Sequence, residues 1–106
     1  MESEYIYHVT TLKEWEAAKL KNEYTPINYE QDGFIHCSVE KQIPGVLDRF
    51  YKGQTGLVKL KIEKVKVQRP VLFELAKELD ELFPLIYGTL NLDSIVEVIA
   101  MSLLLI

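Results

Sequence analysis

The alternation of apolar and polar positions divides the chain into short elements. Tyr5 to Thr10 is a run of sheet-favouring residue types and predicts a first strand. Thr11-Leu-Lys-Glu14 has the form of a capping box, in which hydroxyl and carboxylate each satisfy orphan N–H groups at a helix start. A short helix should follow to about Leu20, with Leu12, Trp15 and Ala18 on one side. Lys21 to Asp32 holds Asn22, Pro26 and Asn28, lacks periodicity, and reads as a loop or partly ordered lid. Gly33 to Ser38 reads as a second short strand, whose Ser38 is placed to cap what comes next. Ile43, Val46, Leu47 and Phe50 then fall at i, i+3, i+4 and i+7, the face of an amphipathic helix. Pro44 suits its first turn and Gly53 its end.

The second half is richer in strands. Leu57 to Glu63 alternates, with Val58, Leu60 and Ile62 on one face and Lys59, Lys61 and Glu63 on the other. Val65 and Val67, then Val71, Phe73 and Leu75, predict further strands separated by Arg69-Pro70, and Ala76 to Leu82 a helical turn or two. Ile95 to Ala100 is apolar on both faces apart from Glu97, as expected of a central buried strand. Helices near the start and strands clustered later predict an α+β fold, with mixed or antiparallel sheets and two or three short helices.

At 106 residues the chain is expected to be a single domain, large enough to bury a core without staples. Its 48% apolar and 26% charged content is that of a globular protein and excludes disordered and fibrous classes. Sixteen acids against twelve bases give a net charge of −4, with no block of Lys or Arg. That balance gives no electrostatic footprint for DNA or for an anionic membrane. Met-Glu-Ser-Glu at the start is acidic where a secretory signal needs a basic beginning. The longest apolar run, Val98 to Ile106, is nine residues against the ~20 of a membrane span. A cytoplasmic location is expected, and it suits the unpaired Cys37. A single cysteine also excludes an intramolecular disulfide and any multi-cysteine zinc site.

Two histidines are present, each inside a predicted strand. Side chains alternate across a strand, so His8 shares a face with Ile6 and Thr10, and His36 with Phe34 and Ser38. Each strand thus offers a His-x-hydroxyl pair. If the strands are neighbours, four polar groups converge on one patch suited to ribose or phosphate oxygens, since imidazole and hydroxyl both donate and accept. The alternative is that each histidine bonds a local backbone group at a sheet end. Cys37 and His36 are adjacent on a strand and point to opposite faces, so they form no dyad, and Cys37 reads as a buried small apolar residue. No His-x-His or His-x-x-x-His spacing exists, and no metal is expected. Arg49 is either a surface ion-pair partner of Asp48 or a bidentate anion clamp. Glu74 is either the solvated position of an alternating strand or a functional carboxylate. Tyr87 is either a pocket-wall group or a core aromatic with a wet tip.

Several of these residues form a family pattern. Ile6-Tyr-His-Val-Thr10 followed by Trp15-Glu16, Gly33-Phe-Ile-His-Cys-Ser38, Ile43-Pro-Gly-Val46 with Arg49-Phe-Tyr51, and Glu81-Leu-Phe-Pro84 with Tyr87-Gly88 occur in the order seen in the DUF952 family. The resemblance spans nearly the whole chain. Two positions depart from it: Leu85 stands where the family pattern has His, and Thr89 where it has Pro. If that third histidine serves catalysis, this chain is impaired or works differently.

The resemblance implies an ADP-ribosyltransferase-like fold with NAD as substrate. It places His8 and Thr10 on the ribose at the adenosine side, and Gly33, His36 and Ser38 near nicotinamide. Arg49 would then contact phosphate, Glu74 would stabilise the developing oxocarbenium charge as carboxylates do in glycoside chemistry, and Tyr87 would complete the catalytic group. The Phe-Ile-His-Cys-Ser stretch also resembles the His-Ile-His-Leu-Ser stretch of tRNA 2′-phosphotransferases, but a chain of net charge −4 has no evident grip for tRNA. Two function classes follow: an NAD-dependent glycosyl transferase, or a non-catalytic module binding a nucleotide-like ligand or a protein partner in the same cleft. The apolar tail either finishes a sheet or forms a dimer edge.

Overall fold

Residues 4–101 are described in a computed structural model of the chain, and they form eight strands and three α-helices joined by single 3-10 turns. The strands are antiparallel throughout. Strand β1 (Tyr5–Thr11) pairs with β4 (Leu57–Glu63), which pairs in turn with β8 (Ile95–Met101). A second sheet has the order β3 (Ile35–His36), β6 (Glu81–Ile86), β5 (Val71–Ala76). A two-residue ribbon joins β2 (Glu23–Tyr24) to β7 (Leu90–Asn91). Helices α1 (Leu12–Lys21), α2 (Tyr29–Asp32) and α3 (Ile43–Phe50) lie in the first half of the chain. The α+β expectation holds, and among the described residues no helix is long and apolar enough to cross a membrane.

Alternation along β1 and β4 builds two cores. Ile6, Val58, Leu60 and Ile62 face inward with Ala18, Tyr24, Ile35, Cys37, Ile86 and Leu90. On the other face Tyr7, Val9 and Leu57 pack against Ile43 of α3, with Leu47 and Tyr51 beside them. Leu60 and Ile62 are fully buried, each contributing about 1.5–3 kcal/mol of apolar transfer free energy. The outward lysines of β4 lay their ammonium groups over aromatic rings of β1, Lys59 over Tyr7 at 5.2 Å and Lys61 over Tyr5 at 4.4 Å.

Five local expectations are corrected. The 21–32 segment is not loop throughout: β2 and the single turn of α2 lie within it, left-handed Asn22 (φ 62°) ends α1 before β2, and left-handed Gly33 (φ 83°) ends α2. The second strand is shorter than Gly33 to Ser38, being β3 plus one isolated bridge at Ser38. Lys64–Lys66 is a 3-10 turn, so Val65 is exposed at a corner and not in a strand. The 77–80 segment is the tight turn of the β5–β6 hairpin, with Asp80 left-handed (φ 54°) and its N–H bonded to Ala76 O, and not a helix. Lastly β8, expected at the centre, lies at the edge beyond β4, and its Val96 and Val98 are exposed. An apolar run on both faces measures composition, whereas position in a sheet is set by which strands find partners; the central strand is the alternating β4. Residues 102–106, the rest of the apolar tail, lie outside the described residues.

Candidate functional site

A single pair of backbone hydrogen bonds brings the two histidine segments together. Tyr7 N–H donates to Ser38 O (2.7 Å) and Ser38 N–H to Tyr7 O (2.8 Å), clamping β1 to the end of β3. One residue further along β1, His8 Nδ1 lies 2.6 Å from His36 O. A carbonyl only accepts, so Nδ1 carries the proton and the neutral ring presents the Nε2 lone pair. Tyr24 Oη lies 2.8 Å from that nitrogen and 3.0 Å from Thr10 Oγ1. The proton order that satisfies every group runs from the Thr10 hydroxyl to Tyr24 Oη, from the Tyr24 hydroxyl to His8 Nε2, and from His8 Nδ1–H to the backbone. The Thr10 oxygen keeps lone pairs for a further donor.

Burial sets the electrostatics of this relay. His8 is 7% exposed, and loss of water lowers its pKa to about 4, with its bond to the His36 carbonyl opposing the shift only partly. The same desolvation pushes the Tyr24 phenol well up, so both groups are neutral at pH 7. The His36 ring is mostly exposed, packs edge-on against Phe34 at 4.8 Å, and sets Nε2 3.5 Å from Asp32 Oδ2.

A cleft of about 280 Å³ opens over this network. His8, Thr10 and His36 line it, together with Glu14, Tyr24, Asn28, Asp32, Phe34 and Tyr51. Glu14 was expected to close a capping box. Its backbone N–H does bond Thr11 Oγ1 (3.0 Å), but its carboxylate accepts from Ile27 N–H (3.3 Å) and thereby ties helix α1 to the cleft wall. Tyr51 at the end of α3 donates its hydroxyl to Val9 O (3.0 Å). Tyr24, Glu14 and Asp32 carried no sequence-level site signal. A lone tyrosine in a polar stretch and an acid before a glycine are visible only in retrospect.

The other anticipated residues lie elsewhere. Ser38 is buried and contributes the bridging backbone, while Gly33 ends α2 with its N–H on Tyr29 O (2.7 Å). Glu74 is bonded to the Tyr87 hydroxyl and raises the phenol's pKa; neither lines the cleft, though the Tyr87 ring touches Phe34 at 5.5 Å. Arg49 is exposed on α3, its guanidinium over Phe50 and against Gly45, and Asp48 pairs with Lys52 instead. Cys37 is buried in the main core, which raises its thiol pKa and makes it a poor nucleophile. Leu85 is buried directly across from His36 in the β3–β6 ladder, so a histidine there would adjoin the His36 ring. A second, larger depression of about 380 Å³ contains Arg69, Asn91 and Asp93 but neither histidine.

The sequence model described as "Protein of unknown function (DUF952)" matches residues 9–98. The chain belongs to the DUF952 family. Its match takes in every described lining residue of the cleft except His8, one position before it. The fold is also similar to that of CC0527 from Caulobacter crescentus. The crystal structure of CC0527 is 26% identical, covers 93% of this chain and 87% of its own, and superposes with a TM-score of 0.85. A crystal structure of its double mutant gives the same values, and its solution NMR structure a TM-score of 0.80. No curated protein matches the chain. Among the described residues no group of three or more His, Cys, Asp and Glu is placed to hold a metal.

Proposed function

We propose that this DUF952 chain binds the ribosyl part of a nucleotide-like ligand of the NAD and ADP-ribose class in the His8–His36 cleft, on an ADP-ribosyltransferase-like fold, and that it acts as a binding module. One observation carries the reading. Two His-x-hydroxyl strands, far apart in sequence, meet so that Thr10, His8 and His36 border one cleft above a fully bonded buried relay. The ribose hydroxyls would donate to Thr10 Oγ1 and bond Asn28, and a flat ring would lie against Phe34 and His36. About 280 Å³ is roughly nine waters' worth of space at ~30 Å³ each, enough for a ring or sugar and short of a dinucleotide. The phosphates would remain outside, because among the described lining residues none is Lys or Arg.

Glycosyl transfer is the second reading, and the Glu14 and Asp32 carboxylates at the cleft favour it. The bond from ribose C1′ to nicotinamide nitrogen would break with its electron pair leaving on nicotinamide. A carboxylate would stabilise the oxocarbenium ion, and water would add to C1′ and lose a proton to a second base. Glu74, engaged with Tyr87 outside the cleft, is less well placed for that role than Glu14.

Amide-shift NMR with NAD and with ADP-ribose tests the binding. Saturable shifts clustered at Thr10, Tyr24, Phe34 and His36 are expected; no shifts at millimolar ligand, or shifts confined to other surfaces, overturn it. Nicotinamide release above the buffer rate, abolished in Glu14→Gln, would establish the transferase reading.

A further inference from the structure

We propose that the cleft selects an organic cation, an ammonium or N-alkylated aromatic ring, over neutral and anionic ligands of the same shape. The inference rests on the reading of this cleft as a ligand site and narrows the group that enters it.

The argument is one of charge and surface. Two carboxylates, Glu14 and Asp32, line the cleft, and among the described lining residues no lysine or arginine offsets them. The buried imidazole there is neutral at pH 7 and adds no positive charge. Only His36 is able to do so, on protonation beside Asp32 at 3.5 Å. Two half-buried aromatic side chains, Phe34 and Tyr51, share the wall with Val9, Pro26, Ile27 and Asn28, and aromatic rings attract cations through their negative faces. The Tyr51 hydroxyl is already engaged with Val9 O, so its half-buried side chain offers mainly ring surface to a ligand, whereas Tyr24 is fully buried and serves by holding His8 and Thr10 in place. Acids set among aromatic rings complement a weakly hydrated cation of the kind that a trimethylammonium or pyridinium group presents. They oppose a phosphate. About 280 Å³ accommodates such a group with part of its substituent.

The test compares choline with its neutral isostere 3,3-dimethylbutanol, and with ADP-ribose, by amide-shift titration of the whole chain. Choline is expected to saturate shifts at Tyr24, Phe34, Asn28 and Tyr51, roughly ten-fold more tightly than the alcohol. Glu14→Gln and Asp32→Asn, which keep the acceptor oxygen and remove the charge, should each weaken it roughly three-fold, and added salt should weaken it further. Unchanged spectra of the two variants away from the substitution show that they remain folded. Equal affinity for choline and the alcohol, or cation shifts spread over other acidic surfaces, overturns the inference. If ADP-ribose binds at the cleft and choline does not, the inference fails and the ribosyl reading survives. If choline binds and ADP-ribose does not, the inference stands and the ribosyl reading falls. If none of the three binds, both fail.

Discussion

Acidification from pH 7 to pH 4 should destabilise this protein through His8. The ring is buried and neutral, with its pKa lowered from 6.5 to about 4. Above pH 6.5 folded and unfolded chains both hold it uncharged, and it adds no pH dependence. Between 6.5 and about 4 the unfolded chain binds a proton that the folded chain refuses, so stability falls as pH falls. Below about 4 both states bind it and the loss is complete. The interval, at about 1.4 kcal/mol per pH unit, amounts to about 3 kcal/mol, of which about 2 kcal/mol is lost by pH 5. Against a total near 5–15 kcal/mol that is a large share. Urea unfolding at each pH reads it as a midpoint roughly 1–2 M lower at pH 5 than at pH 7. His8→Gln is the control, since it keeps a donor for the His36 carbonyl and has nothing to titrate. It should be less stable at pH 7 and lose about 2 kcal/mol less on going to pH 5, all other groups being common to both chains. Parallel pH profiles for the two proteins, or an NMR titration placing the His8 ring near 6.5, would refute the reasoning.

Other substitutions probe the same architecture. Tyr24→Phe keeps the buried ring but strips the hydroxyl that links His8 to Thr10, leaving buried partners unsatisfied. It should cost about 2–3 kcal/mol and lower Tm on the order of 10 °C by calorimetry, and a change under a degree or two would mean that the relay contributes nothing. Cys37, buried and with its thiol pKa raised, should react with a thiol reagent only when the chain unfolds. Fast labelling under native conditions would place the thiol at the surface. Gly88 has φ 150°, and a Cβ there would lie 2.5 Å from Arg69 Cγ, so Gly88→Ala should cost about 1–3 kcal/mol in urea unfolding. An unchanged midpoint would show that Arg69 moves aside freely.

Local pattern alone determined a good part of this molecule. The β1 strand, the α1 cap at Thr11, the α3 helix and the alternating β4 are each readable within a window of ten residues, because strand and helix periods are properties of the chain itself. The expected α3 face, however, packs Ile43 and Leu47 into the core and leaves Phe50 exposed. The same alternation rule put His8 with Thr10 and His36 with Phe34, and marked Cys37 as pointing away. Tertiary structure decided what those windows cannot contain. That β1 meets the end of β3 depends on one bridge between Tyr7 and Ser38, a long-range pairing with no local signature. That Tyr24 is the hinge of the buried relay depends on β2 pairing with β7 some sixty-six residues later, and that Glu14 faces the cleft depends on where the 26–28 segment passes. The edge position of β8 and the hairpin turn at 77–80 have the same cause: strand partners are chosen by the whole chain, and composition records only that a residue prefers to be covered, not by what.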